Sequence, residues 1–212
     1  MSSATNKLNH TYQGQRGVGM IEVLITLFIL SIGLLGVASM QFVGSFSNKD
    51  ALARTQAVLV AQQMSERLRA STVHSQFTDG FVVDNAYFEP NNYNFVGLSC
   101  AGGTTPYSCY CLAIPAGVPD CQTNTCSAAE VARFDAYQMS CAAVESNPDA
   151  SIEVACDDNN IGDADLCTAG SIHRINVSWP AATWQDSDRV ANPLCNDDGS
   201  TTNDCVVLEV TL

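Results

Sequence analysis

From Val23 to Met40 the chain runs through eighteen consecutive residues without a charged side chain. As a helix rising about 1.5 Å per residue, such a run covers roughly 27 Å, close to the ~30 Å hydrocarbon core of a bilayer. It is long enough to cross a membrane, and every other part of the chain must be placed relative to it. The run is headed by an acid, Glu22, and preceded by Arg16-Gly17-Val18-Gly19-Met20-Ile21. A charge in a membrane segment costs about 2.5 kcal/mol or more near the helix centre and less toward the interface, so Glu22 calls for a partner and a purpose.

Two general devices compete for this stretch. A cleaved secretory signal has a basic start, an apolar stretch of about 7–15 residues and a small-residue cleavage site, for which Gly36-Val37-Ala38 would serve. The length of the run and the acid at its head argue against that. A plain signal anchor accounts for the length, but for neither Glu22 nor the glycine at position 17.

Gly17, a small apolar pair, Met20-Ile21, Glu22 five residues after the glycine, Val23-Leu24 and then a long apolar helix together resemble the class III signal of type IV prepilins and pseudopilins. The continuation Ile29-Leu30-Ser31-Ile32-Gly33-Leu34-Leu35-Gly36, with Gln41, is similar to the minor pilins called type IV pilus modification protein PilV. The likeness is strong over residues 15 to about 70 and loose beyond. It implies that prepilin peptidase cuts after Gly17 and methylates the new amine of Val18. It also implies that Glu22 meets the amine of a neighbouring subunit during filament assembly. Val18 and Glu22 are four apart and share a helical face, so pairing within one chain at the membrane edge is the plainer alternative. The implied partners are other minor pilins, the major pilin, prepilin peptidase and the inner-membrane assembly platform. A pseudopilin of type II secretion and a membrane-tethered enzyme or adhesin are the competing roles.

The 212 residues amount to one ordinary domain plus this N-terminal device, and 46% hydrophobic content suffices for a core. Residues 1–17 hold Lys7 and Arg16 and no acid; without them the chain has 7 basic and 22 acidic side chains, a net charge of −15. Basic residues before the apolar run place a leader in the cytoplasm and the C-terminal domain across the membrane; the resemblance implies that this is the inner membrane and that the chain passes from it to a pilus at the cell surface. The acidic surface repels phosphates, so the domain alone is not expected to bind nucleic acid.

All ten cysteines lie between Cys100 and Cys205. An even count confined to this region argues for disulfides in an oxidising compartment. Ten cysteines allow on the order of a thousand pairings. Proximity favours Cys195 with Cys205, Cys156 with Cys167 and Cys121 with Cys126, leaving Cys100, Cys109, Cys111 and Cys141 to make two more.

The chain in order predicts a cleaved leader, 1–17, a long helix, 18–71, with a membrane segment at about 20–41, and a globular domain, 72–212. Beyond Gln41, Phe42, Phe46, Ala53, Ala57, Val60, Met64 and Leu68 continue a helical stripe, and no proline interrupts residues 18–70. One helix of about 53 residues, roughly 80 Å, is expected. Gly33, Gly36 and Gly44 are either weak points in it or small faces for close helix approach. Residues 71–103 read as a connecting region and 104–126 as a stapled loop. Ser127-Ala128-Ala129-Glu130 has the form of a capping box, opening a helix with Val131, Phe134, Cys141 and Val144 on one face, ended by Asn147-Pro148. Strands are expected at 151–155, 172–179 and 205–212, with period-two alternation. The fold class is α+β and pilin-like: a long N-terminal helix packed on an antiparallel sheet, with a disulfide-rich C-terminal region.

No catalytic, metal or cofactor site is expected. Cys109-Tyr110-Cys111 lacks the Cys-x-x-Cys spacing of redox pairs and is flanked by proline. Zinc is disfavoured because His74 and His173 are the histidines beyond the leader and no Cys-x-x-Cys occurs. Gly97-Leu98-Ser99-Cys100-Ala101 misses the nucleophile-elbow pattern at its last residue. The stretch 157–165 is rich in carboxylates, but Thr168 stands where an EF-hand has glutamate, so a solvated acidic loop is the expectation.

Overall fold

The computed structural model describes residues 19–100, 102–162, 166–181, 193–196 and 203–212. Helix α1 runs Met20–Ala70, followed by a two-residue ribbon, β1 Val73–His74 and β2 Phe81–Val82, and by 3-10 turns at Asn85–Phe88 and Pro90–Asn92. Then come α2 Pro106–Tyr110, α3 Ala128–Ser146, β3 Ser151–Asp157, β4 Ile172–Pro180, a 3-10 turn at Pro193–Cys195 and β5 Asn203–Thr211. The arrangement is α+β. The chain divides into two compact units, Met1–Ser47 and Asn48–Leu212, and α1 contributes residues to each.

In the second unit, Ala57, Val60, Ala61, Met64 and Leu68 of α1 are buried with Ala132, Ala136, Met139 and Ala143 of α3. Their positions recur at three and four residues, so each set is one stripe, and alanines on both helices leave room for large side chains from the sheet. The sheet supplies Ile152, Val154, Ile175, Val177 and Trp179 to the same core. It is antiparallel in the order β3-β4-β5, with Val154 opposite Ile175 and Ile175 opposite Leu208. On β4 the odd positions from His173 to Trp179 are buried, the alternation expected of a half-buried strand.

Three expectations need correction. The buried face of α3 is centred on Ala132, Ala136, Met139 and Ala143; Phe134 and Val144 are buried as well, but Val131 and Cys141 are half-buried. Small residues, easily overlooked in a hydrophobic pattern, make the deepest contacts. Residues 104–126 are not all loop, because Thr105 caps α2: its hydroxyl accepts from the Ser108 N–H while the Ser108 hydroxyl accepts from the Thr105 N–H. Pro106 fits the first helical position, where no N–H is needed. Finally, the connecting region adds Tyr87 and Tyr93 to the core, both essentially inaccessible.

The capping box at the head of α3 is present, with Ser127 and Glu130 bonded to each other's backbone N–H. Asn94 fastens the connecting region to the sheet: its side-chain amide donates to the Ile152 carbonyl at 3.0 Å and accepts from the Ile152 N–H at 2.9 Å.

Candidate functional site

The first turn of α1 carries Glu22, whose backbone N–H donates to the Gly19 carbonyl at 2.9 Å. Unpaired N–H groups at a helix start leave a partial positive charge, which favours a carboxylate there. Among the described residues Glu22 forms no ion pair. Gly17 and Val18 lie outside the described residues.

From Val23 to Met40 the helix is apolar on every face. Its most hydrophobic eighteen-residue window has a mean hydropathy of 2.5, and none of that window is buried among the described residues. Leu24, Phe28, Leu35 and Met40 are exposed alike. The few hydroxyls are satisfied locally: Thr26 donates to the Val23 carbonyl at 2.9 Å, Ser31 to Phe28 at 2.7 Å and Ser39 to Leu35 at 2.9 Å. A helix with its backbone and hydroxyls bonded internally presents no polar obstacle to lipid or to other helices. A Cβ built on Gly33, Gly36 or Gly44 would meet nothing within 4 Å. Among the described residues these glycines serve no contact, and they leave space along the helix for another backbone.

The ten cysteines form five disulfides: Cys100–Cys109, Cys111–Cys141, Cys121–Cys126, Cys156–Cys167 and Cys195–Cys205. Cys109 and Cys111 thus bond to different partners, and Cys111 ties the end of α2 to α3. His173 is buried, with Nε2 3.3 Å from Cys167 Sγ, and burial lowers its pKa.

The acidic loop uses its carboxylate internally. Asp158 Oδ1 accepts from the Thr168 N–H at 3.0 Å and from the Ser171 hydroxyl at 3.2 Å, and the Thr168 bond in particular holds its pKa below the usual carboxylate range. Asp163 and Asp165 lie outside the described residues. Among the described residues no group of three His, Cys, Asp or Glu side chains is placed to hold a metal.

A polar group missed from the sequence sits inside the domain. Asp135 of α3 is buried, pairs with Arg67 of α1, and accepts the Tyr87 hydroxyl at 2.6 Å. Tyr87 in turn accepts the Tyr93 hydroxyl at its carbonyl, at 2.7 Å. An acid one residue after Phe134, on the buried side of an alanine-rich helix, was the available signal.

A family model described as the prokaryotic N-terminal methylation motif matches residues 12–38. No curated protein and no solved structure matches the chain. The match covers Gly17, Val18, Glu22 and most of the apolar run, so the chain carries the class III prepilin-like signal at the head of a membrane-length helix, and that motif supports a type IV pilin or pseudopilin.

Proposed function

We propose that the chain is a minor pilin of the type IV pilus, of the PilV type, which enters the pilus tip or primes its assembly and catalyses nothing itself. The observation that carries this reading is the continuity of the methylation motif with a helical segment that is apolar all round and buries none of that surface among the described residues. Such a helix requires lipid first and other subunits afterwards. The stretch Ile29–Gly36 and Gln41 favour the pilus over a secretion pseudopilin.

In this reading prepilin peptidase releases the 1–17 leader on the cytoplasmic side, and the Val18 amine is methylated. The domain from residue 72 onward stands in the periplasm. Glu22 then neutralises the amine of an adjoining major or minor pilin as the helix leaves the bilayer at the assembly platform. An unpaired buried charge costs several kcal/mol, so this match selects correctly docked subunits.

Substituting Glu22→Leu separates assembly from insertion. Insertion becomes easier because a charge leaves the membrane segment, and cleavage is unchanged because Glu22 lies beyond the scissile bond. Processed protein is expected to accumulate in the inner membrane and to be absent from sheared pili. Recovery of Glu22→Leu protein in pili at the wild-type ratio overturns the assembly role.

A further inference from the structure

Among the described residues only Asn94 and Phe95 are non-glycine residues with φ in the left-handed region, at +52° and +62°. A bulky aromatic residue adopts that conformation only where its surroundings enforce it. Here they do. The Asn94 N–H donates to Ser140 Oγ at 2.9 Å, and its side chain holds both backbone groups of Ile152. The Phe95 ring stacks on Tyr110 at 4.6 Å and 13°, and the Tyr110 carbonyl accepts the Tyr137 hydroxyl at 2.8 Å. The Cys111–Cys141 disulfide fixes the adjoining end of α2 to α3. Phe95 is thereby held at a small recess of about 60 Å³.

The apolar wall of the recess is Val96, Leu98 and Val118, and its polar groups are Arg133, Asn91 and Asn92. Arg133 forms no ion pair among the described residues; one Nη2–H donates to the Gly117 carbonyl at 2.9 Å, while the nearby Glu130 carboxylate is engaged by Ser127. The side-chain NH₂ groups of Asn91 and Asn92 donate to Glu89 Oε1 at 2.7 Å and to the Ala86 carbonyl at 2.8 Å, which leaves their amide oxygens as acceptors. The recess thus combines a cationic donor, amide acceptors, an aliphatic wall and an aromatic ring.

On the same measure one water needs about 10–15 Å³, so the recess takes a branch of a few heavy atoms rather than a whole ring. The chain's net charge of −13 opposes an anionic ligand at long range. A neutral acetamido group satisfies each feature. Its carbonyl accepts from the Arg133 guanidinium, its N–H donates to an asparagine oxygen, its methyl lies against Val96, Leu98 and Val118, and the C–H face of an attached pyranose covers Phe95.

We propose that this recess binds an N-acetylated hexosamine within a glycan. Two sources carry that chemistry, cell-wall peptidoglycan and glycans of an external surface. The rigid loop favours binding because little ordering remains to be done. Nothing in this recess depends on the filament role.

The test uses the full chain in lipid nanodiscs, with triacetylchitotriose as probe and cellotriose, neutral and lacking the acetamido groups, as control, followed by saturation-transfer NMR and calorimetry. The acetamido methyl is expected to receive the strongest saturation, and cellotriose to bind at least tenfold more weakly. Arg133→Met at an exposed position, and Phe95→Gly, whose φ glycine adopts freely, should each weaken binding at least tenfold with far-UV circular dichroism retained. Tighter binding of N-acetylglucosaminyl-N-acetylmuramic acid methyl ester, neutral as the lactyl group is not charged within the cell wall, indicates the cell wall, and tighter binding of N-acetyllactosamine an external glycan. The proposal is overturned if no acetylated probe binds, if cellotriose binds equally, or if both variants bind as the parent does.

Discussion

The hydroxyl of Tyr87 donates to Asp135 Oδ2 at 2.6 Å inside the domain, while the other carboxylate oxygen of Asp135 pairs with Arg67. One acid therefore joins the connecting region, α1 and α3. Tyr87→Phe removes a buried hydrogen bond to a charged acceptor and is expected to cost about 1.5–3 kcal/mol. Asp135→Ala leaves both the phenol and the guanidinium without their acceptor and should cost at least as much, about 2–4 kcal/mol. Urea unfolding of the full chain, followed by circular dichroism, measures both; a loss under about 0.5 kcal/mol for Asp135→Ala contradicts this account.

The same phenols set the alkaline limit. Burial, and next the bond to Asp135, raise the pKa of Tyr87, and burial raises those of Tyr93 and Tyr137. A group with a raised folded-state pKa binds its proton more tightly when folded, so its contribution is fully present below the unfolded value of about 10 and is lost as pH rises beyond it. Stability should decline above pH 10, and phenolate absorbance from these tyrosines should grow in step with unfolding. Full phenolate absorbance at a pH where the native dichroism persists would contradict this.

The disulfides should differ in worth. Cys111–Cys141 spans 30 residues and Cys121–Cys126 spans 5. In the chain-entropy account the longer loop contributes about 3.6 kcal/mol and the shorter about 2 kcal/mol. Paired serine substitutions at each bridge, compared by urea midpoint, should show Cys111/Cys141 as the larger loss; the reverse order would place their effect in the folded state.

The mature chain is expected to start at Val18 with a methylated amine. Intact mass and N-terminal peptide mapping of the membrane fraction decide this. A terminus at Ser39 would identify an ordinary secretory signal instead.

What the sequence revealed follows from period and punctuation. Val60, Met64 and Leu68 on α1 and Ile175, Val177 and Trp179 on β4 are regular repeats of large apolar residues, and Ser127 with Glu130 marks the start of α3. The deep face of α3 was hidden because its alanines carry little hydrophobic signal, while Val131 and Cys141 carry more and lie only half-buried. Tyr87 and Tyr93 sit in short turns without any repeat, where burial depends on tertiary contacts alone. The same is true of the Phe95 recess, whose lining comes from segments up to 46 residues apart, Asn91 to Tyr137. By contrast the motif at the head of α1 is local and was readable in full.

Asn94 also bears on solubility. An edge strand offers unpaired N–H and C=O groups to any passing chain, which is how sheets of separate molecules fuse into aggregates. Because the Asn94 amide occupies both groups of Ile152 on β3, an intruding strand finds that rung already taken. In the reading proposed above the chain gathers in a membrane before it assembles, and there a single side chain acting as a counterfeit strand guards this edge. Asn94→Ala should therefore aggregate sooner on mild heating, even where its unfolding midpoint moves little.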